Sequence, residues 1–298
     1  MINFRIMIGA TPRSGTTIFQ QVLAAHPQVT SPPETHFFIE ITDEKELLAP
    51  DVKPETIHRR FQKHSHLDIF ANMLTENEFR EIQQASDSRE TFFRRLMDQL
   101  AEKENASGWV EKTPHHLRLF PLLMDEISSL KTVVIVRDPR DVCSSMRNIR
   151  FTTDNLQQLA TRWLSENIFA RECQKKYEDR VKIIPYKKLV YKTEQTVREL
   201  CQYAKINFHE DQLHPEKAAE EVILLEGEEM KERNFRPITD ESIGRYREDL
   251  TQEEIQLVEA VTAPVANSLL DKDFELSPQI KRQADEISRQ FQTKLQKK

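Results

Sequence analysis

The chain has 298 residues, of which 38% are hydrophobic and 31% charged, and its formal net charge is −6. That length buries one sizeable core; no run of about eighteen apolar residues is available to span a membrane, and no signal-peptide pattern precedes the first apolar stretch. The acidic balance gives no support for general nucleic-acid binding, and three scattered cysteines without metal spacing suit a reduced, cytoplasmic setting.

In chain order, Phe4 to Ala10 reads as a buried strand, and Gly15 to Ala25 as a helix with Ile18, Val22 and Leu23 inward. Pro27 to Glu34 is a Pro-rich loop. Residues 40–105 are polar and helical in pattern, a helical insertion expected to shape an acceptor site. Gly108 to Glu111 is a short strand and Pro121 to Leu130 holds a helix. Thr132 to Arg137 is a β-branched strand, followed by a helix from Pro139, where a missing N–H costs nothing. Asn155 to Tyr177 is a long amphipathic helix, Val181 to Tyr186 a strand, and Thr193 to Ala204 a helix. Alternating strands and helices imply an α/β fold. It should be a P-loop-like three-layer arrangement, a central parallel sheet flanked by helices, with ligands at the carboxyl ends of the strands. Residues 1–276 are expected to form a single domain. In 277–298, Ile280, Ala284, Ile287, Phe291 and Leu295 make one helical stripe that packs back or joins a second subunit as a homodimer.

Chemistry concentrates in two segments. Thr11 to Thr17 is a tight strand-to-helix loop in which Ala10 and Thr16 stand where a P-loop has its first Gly and its Lys. Arg13, Ser14, Gly15, Thr16 and Thr17 instead offer a guanidinium, hydroxyls and helix N-terminal amides. They suit a single anionic group and not a Mg-triphosphate. At the second segment, Arg137 ends a strand and Ser145 lies in the next helix, a pair able to clamp one more phosphate.

Together these segments resemble the PAPS-dependent sulfotransferases, where PAPS is 3′-phosphoadenosine 5′-phosphosulfate. The likeness is strongest to tyrosylprotein-type and related bacterial enzymes. Ala25-His26-Pro27, Glu34-Thr35 and Trp109-Val110-Glu111-Lys112-Thr113-Pro114 also match that family's elements. The resemblance implies that Arg13 to Thr17 hold the 5′-phosphosulfate and that Arg137 and Ser145 hold the 3′-phosphate. It further implies that Tyr186 lies against the adenine, and that Arg245, with Arg236 second, serves the late basic segment. Arg13, Lys112 and Glu34 would be the catalytic residues, Lys112 donating to the bridging oxygen and Glu34 acting as base. PAPS is then the donor, adenosine 3′,5′-bisphosphate the product, a hydroxyl compound of unstated class the acceptor, and no metal is required.

An exposed Glu titrates near ~4.3, so burial by Pro32, Pro33 and Phe37 is expected to raise Glu34. His36 and His115 are rival bases. Two other classes stay open: a P-loop-like nucleotide kinase and a non-catalytic nucleotide-binding protein.

Overall fold

The computed structural model describes residues 2–147, 149, 155–218 and 237–296. Among them, β1 (Phe4–Ala10), β2 (Val29–Thr30), β3 (Gly108–Lys112), β4 (Leu130–Val136) and β5 (Val181–Pro185) form a sheet in the order β2-β3-β1-β4-β5. Every neighbouring pair is parallel. Parallel pairing needs crossovers, and helices supply them. Their packing buries both sheet faces, which is why the strands read as unbroken apolar runs.

Alternate side chains divide between two cores. On one face Phe4, Ile6, Ile8, Val133, Ile135 and Ile184 meet Phe19, Val22 and Leu23 of the Thr16–Ala24 helix and Val197 and Leu200 of the Thr193–Ala204 helix. On the other, Met7, Trp109, Val134 and Val136 meet Phe120, Val142, Trp163 and Ile168. Gly9 makes room on this second face: a Cβ there would lie 2.7 Å from the Phe120 ring. The helix after β1 and the Pro139–Arg147 helix after β4 thus leave adjacent strands toward opposite faces. That divergence opens a crevice at the carboxyl ends of β1 and β4, where ligands of such sheets bind.

Between β2 and β3 lie five short or medium helices and the longer Arg89–Lys103 helix. Their shared interior explains why a polar segment folds. Phe37, Phe61, Phe70, Phe79, Phe92 and Phe93 are fully buried, and Phe93 meets Trp109 of β3 edge-on at 6.1 Å. Thr75 and Ser88 close capping boxes that end the helices cleanly. β2, two residues long, is too short to carry a periodic signal.

The Pro278–Gln296 helix packs back on the Leu156–Tyr177 helix. Phe291 meets Phe169 at 5.0 Å, and Ser288 and Gln292 donate to the Glu172 carboxylate at 2.8 and 2.7 Å. No helix among the described residues is long and apolar enough to cross a membrane.

Candidate active site

The loop after β1 contains two residues in the left-handed region, Arg13 at φ 71 and Gly15 at φ 88. For Gly15 the conformation carries no Cβ penalty, and a side chain would have no space: a Cβ would sit 2.4 Å from the Tyr186 ring. Thr16 begins the helix directly afterwards, so the amides of its first turn have no intrahelical acceptor. Ser14 is buried, yet its Oγ has no hydrogen-bond partner among the described residues. A buried orphan hydroxyl is costly unless something else satisfies it. Beside it Arg13 donates from Nε to Ser145 Oγ at 3.1 Å. This donor-rich cradle fits an anionic oxygen group.

The end of β4 joins the same loop. Arg137 donates from Nη1 to the Arg13 carbonyl at 3.1 Å and from Nη2 to the Ser242 carbonyl. Its guanidinium carbon lies 5.4 Å from the centre of the Tyr186 ring, and Trp163 Nε1 holds the Arg137 carbonyl at 3.1 Å. Tyr186 opens the helix after β5, and its hydroxyl is 3.1 Å from Ser242 Oγ. Asp141 accepts from the amides of Gly244 and Tyr246 at 3.0 and 3.2 Å. Burial pushes its carboxyl above the usual range, against the pull of those amides and of Arg137. Arg13, Ser14, Gly15, Arg137, Ser145 and Tyr186 are therefore brought together. Arg245 is not: it is exposed, its Nε 4.0 Å from Asp249. Arg236 lies outside the described residues.

The third group sits at the ends of β2 and β3. Lys112, the last residue of β3, is almost fully buried, and its Nζ contacts Glu34 Oε1 and lies 3.5 Å from Thr17 Oγ1. Glu34 Oε2 is 3.2 Å from His36 Nε2. The expectation that burial raises Glu34 is overturned. Burial does push its carboxyl up, but the Lys112 charge and the His36 hydrogen bond outweigh it and hold the group well below the usual carboxylate range. His115 stands exposed at the start of the 3-10 turn Pro114–Leu119. His26, in contrast, is a structural pin: its Nδ1 accepts from the Gln28 amide at 3.1 Å and its Nε2 meets the Asn207 carbonyl at 2.9 Å.

Sequence reasoning missed what lies behind this pair. Glu111 is fully buried and accepts from Thr35 Oγ1 at 2.9 Å, Thr113 Oγ1 at 2.6 Å and His116 Nδ1 at 3.2 Å. Thr113 Oγ1 also accepts from the His36 amide at 3.3 Å. One carboxylate thus ties the Glu34–His36 turn to the end of β3. The available signal was an acid directly after the apolar Trp109-Val110 of a short strand. Burial would raise Glu111, and His116 with the two hydroxyls brings it below its ordinary value.

The sequence model of a family described as the sulfotransferase family matches residues 5–210. Protein-tyrosine sulfotransferase A of Caenorhabditis elegans is 21% identical over 276 residues, covering 89% of this chain and 66% of its own length. The protein-tyrosine sulfotransferase of Drosophila melanogaster is 23% identical over 255 residues, covering 81% and 46%. The chain thus spans between about half and two thirds of the length of these curated relatives. Among solved structures, the sulfotransferase domain of the Synechococcus PCC 7002 olefin synthase matches with a TM-score of 0.59 at 20% identity, over 86% of this chain and 93% of its own. Mouse sulfotransferase SULT7A1 complexed with PAP matches with a TM-score of 0.51 at 13% identity, over 97% and 90%. These structural likenesses concern the fold: a P-loop-like α/β sheet with helices on both faces.

Proposed function

The chain belongs to the sulfotransferase family, and we propose that it transfers the sulfuryl group of PAPS to a hydroxyl acceptor. One observation carries the reading. At a single sheet edge, an anion cradle whose buried Ser14 hydroxyl has no partner among the described residues lies next to a Lys112–Glu34 pair, with Thr17 of the cradle touching Lys112. The first could hold the reactive anion, and the second brings together a proton donor and a proton acceptor.

In this reading Arg13, Ser14, Gly15, Thr16 and Thr17 hold the 5′-phosphosulfate. Arg137 and Ser145 hold the 3′-phosphate and the Tyr186 ring lies against the adenine, while Arg245, exposed beside Asp249, stands apart from them. The complex of SULT7A1 with PAP supports this donor. The acceptor oxygen attacks sulfur in line with the departing phosphate oxygen, and charge spreads over the equatorial oxygens. Lys112 donates to the bridging oxygen as that oxygen gains charge. As it does so its hold on Glu34 weakens, and the Glu34 carboxylate becomes basic enough to take the acceptor proton. The names of the curated relatives make a phenolic hydroxyl one suitable acceptor. The Phe-lined insertion, which begins directly after Glu34, would set the choice among acceptors. The buried, unpaired Cys143, Cys173 and Cys201 suit a reduced compartment.

Calorimetry with adenosine 3′,5′-bisphosphate tests the site. Binding is expected, and Ser145→Ala or Arg137→Ala should weaken it by about 1.5–3 kcal/mol, the range for hydrogen bonds to charged groups. Incubating the protein with ³⁵S-labelled PAPS and a cell extract then identifies the labelled product. An absence of binding heat, or label that reaches no acceptor, would refute the reading.

A further inference from the structure

The two oxygens of Glu34 have different partners: Oε1 faces Lys112, while Oε2 faces His36 Nε2 at 3.2 Å. From His36 a line of imidazoles leads outward. The His36 and His66 rings are 4.3 Å apart and those of His66 and His64 are 5.9 Å apart. His64 Nε2 ends the line 2.9 Å from the carboxylate of partly exposed Glu40. Buried His66 Nδ1 has no partner among the described residues. His36 itself is held in a left-handed backbone conformation, φ 48, which a non-glycine residue keeps only when its surroundings impose it. The restraint is visible: its amide donates to Thr113 Oγ1, which donates to buried Glu111.

We propose that His36 is a proton-relay residue of the transfer reaction, taking from Glu34 the proton of the acceptor hydroxyl and passing it to His66. This deepens the reading of Glu34 given above and rests on it. In the step, the acceptor oxygen bonds to sulfur and the bond from sulfur to the 5′-phosphate oxygen breaks. Its electron pair leaves with adenosine 3′,5′-bisphosphate. The hydroxyl proton moves to Glu34 Oε2 and on to His36 Nε2, and the far nitrogen of His36 releases one to the His66 ring. Glu34 returns to a carboxylate.

The relay solves a difficulty that Glu34 alone leaves. A carboxylate held low by Lys112 does not keep a proton at neutral pH, whereas imidazoles titrate near it. Burial, with His36 and His64 alongside, keeps His66 below the ordinary histidine range, so its ring is neutral with a free lone pair but a weaker base than a free imidazole, and it passes the proton on without storing it. The charged or titratable groups coupled to this line are Glu34 on the same loop, Glu40 beyond it and His115 on the 3-10 turn, which itself faces Arg162 and Glu166 of the long helix; Lys112 acts through Glu34.

The test uses the full chain. Calorimetry with adenosine 3′,5′-bisphosphate comes first; if wild type gives no heat, the reading of the site has failed, whatever His36 does. Sulfuryl release from ³⁵S-labelled PAPS is then followed with 4-nitrophenol and with water alone as acceptor. His36→Asn and His36→Gly both accept a left-handed backbone. Each should bind the bisphosphate as wild type does, and kcat should fall by about 10–100-fold, at or below the lower end of the range for general-base losses. Added imidazole should restore much of the rate of His36→Gly, and His66→Asn should show a smaller fall. Any of three results overturns the relay: undiminished kcat in His36→Gly, a loss that imidazole does not rescue, or a wild type that binds the bisphosphate but transfers to neither acceptor.

Discussion

A single methyl group at position 15 would push into the Tyr186 ring and also impose a side chain on a left-handed backbone. Gly15→Ala should therefore weaken adenosine 3′,5′-bisphosphate binding by about tenfold or more, since left-handed strain alone is roughly 1–2 kcal/mol; calorimetry would show it. Glu34→Gln removes the proposed proton acceptor and leaves the cradle intact. Turnover should drop by about 10²–10⁴-fold while bisphosphate affinity holds, and unchanged turnover would take Glu34 out of the chemistry. That Arg13, Arg137 and Ser145 would meet could be read from the sequence, because they follow the ends of two buried strands; the ligand assigned to them is the proposal's. The parts played by Glu111, Asp141 and Ser242 could not. An acid in a sequence does not reveal whether it is solvated or sealed among hydroxyls and amides, and Ser242 acts through a backbone carbonyl that every residue has.

At the scale of elements, β1, β3, β4 and β5 could be read because burial on both faces removes the polar alternation that obscures shorter strands. β2 could not, and the insertion looked merely polar because its phenylalanines are spread over five helices that share one interior. The contact of Gly9 with Phe120 was equally invisible, being long-range. Gly9→Ala should cost about 1–3 kcal/mol by overpacking, read as a lower urea midpoint with unchanged slope. The tail helix was recognised by its stripe, and its placement came from the long helix that receives it. Removing residues 277–298 uncovers Phe169 and leaves Glu172 without its Ser288 and Gln292 donors. A truncated chain should melt several degrees lower, because a loss of about 1 kcal/mol shifts Tm by roughly 2–4 °C at this size. An unchanged Tm would mean that the helix contributes nothing to the fold.

Across the whole molecule, protonation links site and stability. Glu34, Glu111 and Asp138 are held below their ordinary values, in each case because ion pairs or hydrogen bonds overcome burial. Such groups favour the folded state when ionised, so their contribution is complete at neutral pH. It is lost as pH falls below about 4, where the unfolded carboxyls protonate first. Asp141 is raised and acts in the opposite direction, favouring the fold as it takes a proton. Three groups against one predict a urea midpoint that declines between pH 5 and pH 3; a midpoint that rises over that interval would contradict this balance. Arg137 brings a different consequence. Its fork is already engaged by two carbonyls, one from the first loop and one from the segment that follows residue 236. If the proposed 3′-phosphate binds there, it is a stronger acceptor than either carbonyl and would take those N–H groups, leaving two oxygens to find water. Docking at that edge is therefore an exchange of partners, and its heat should be smaller than a new arginine–phosphate contact would release.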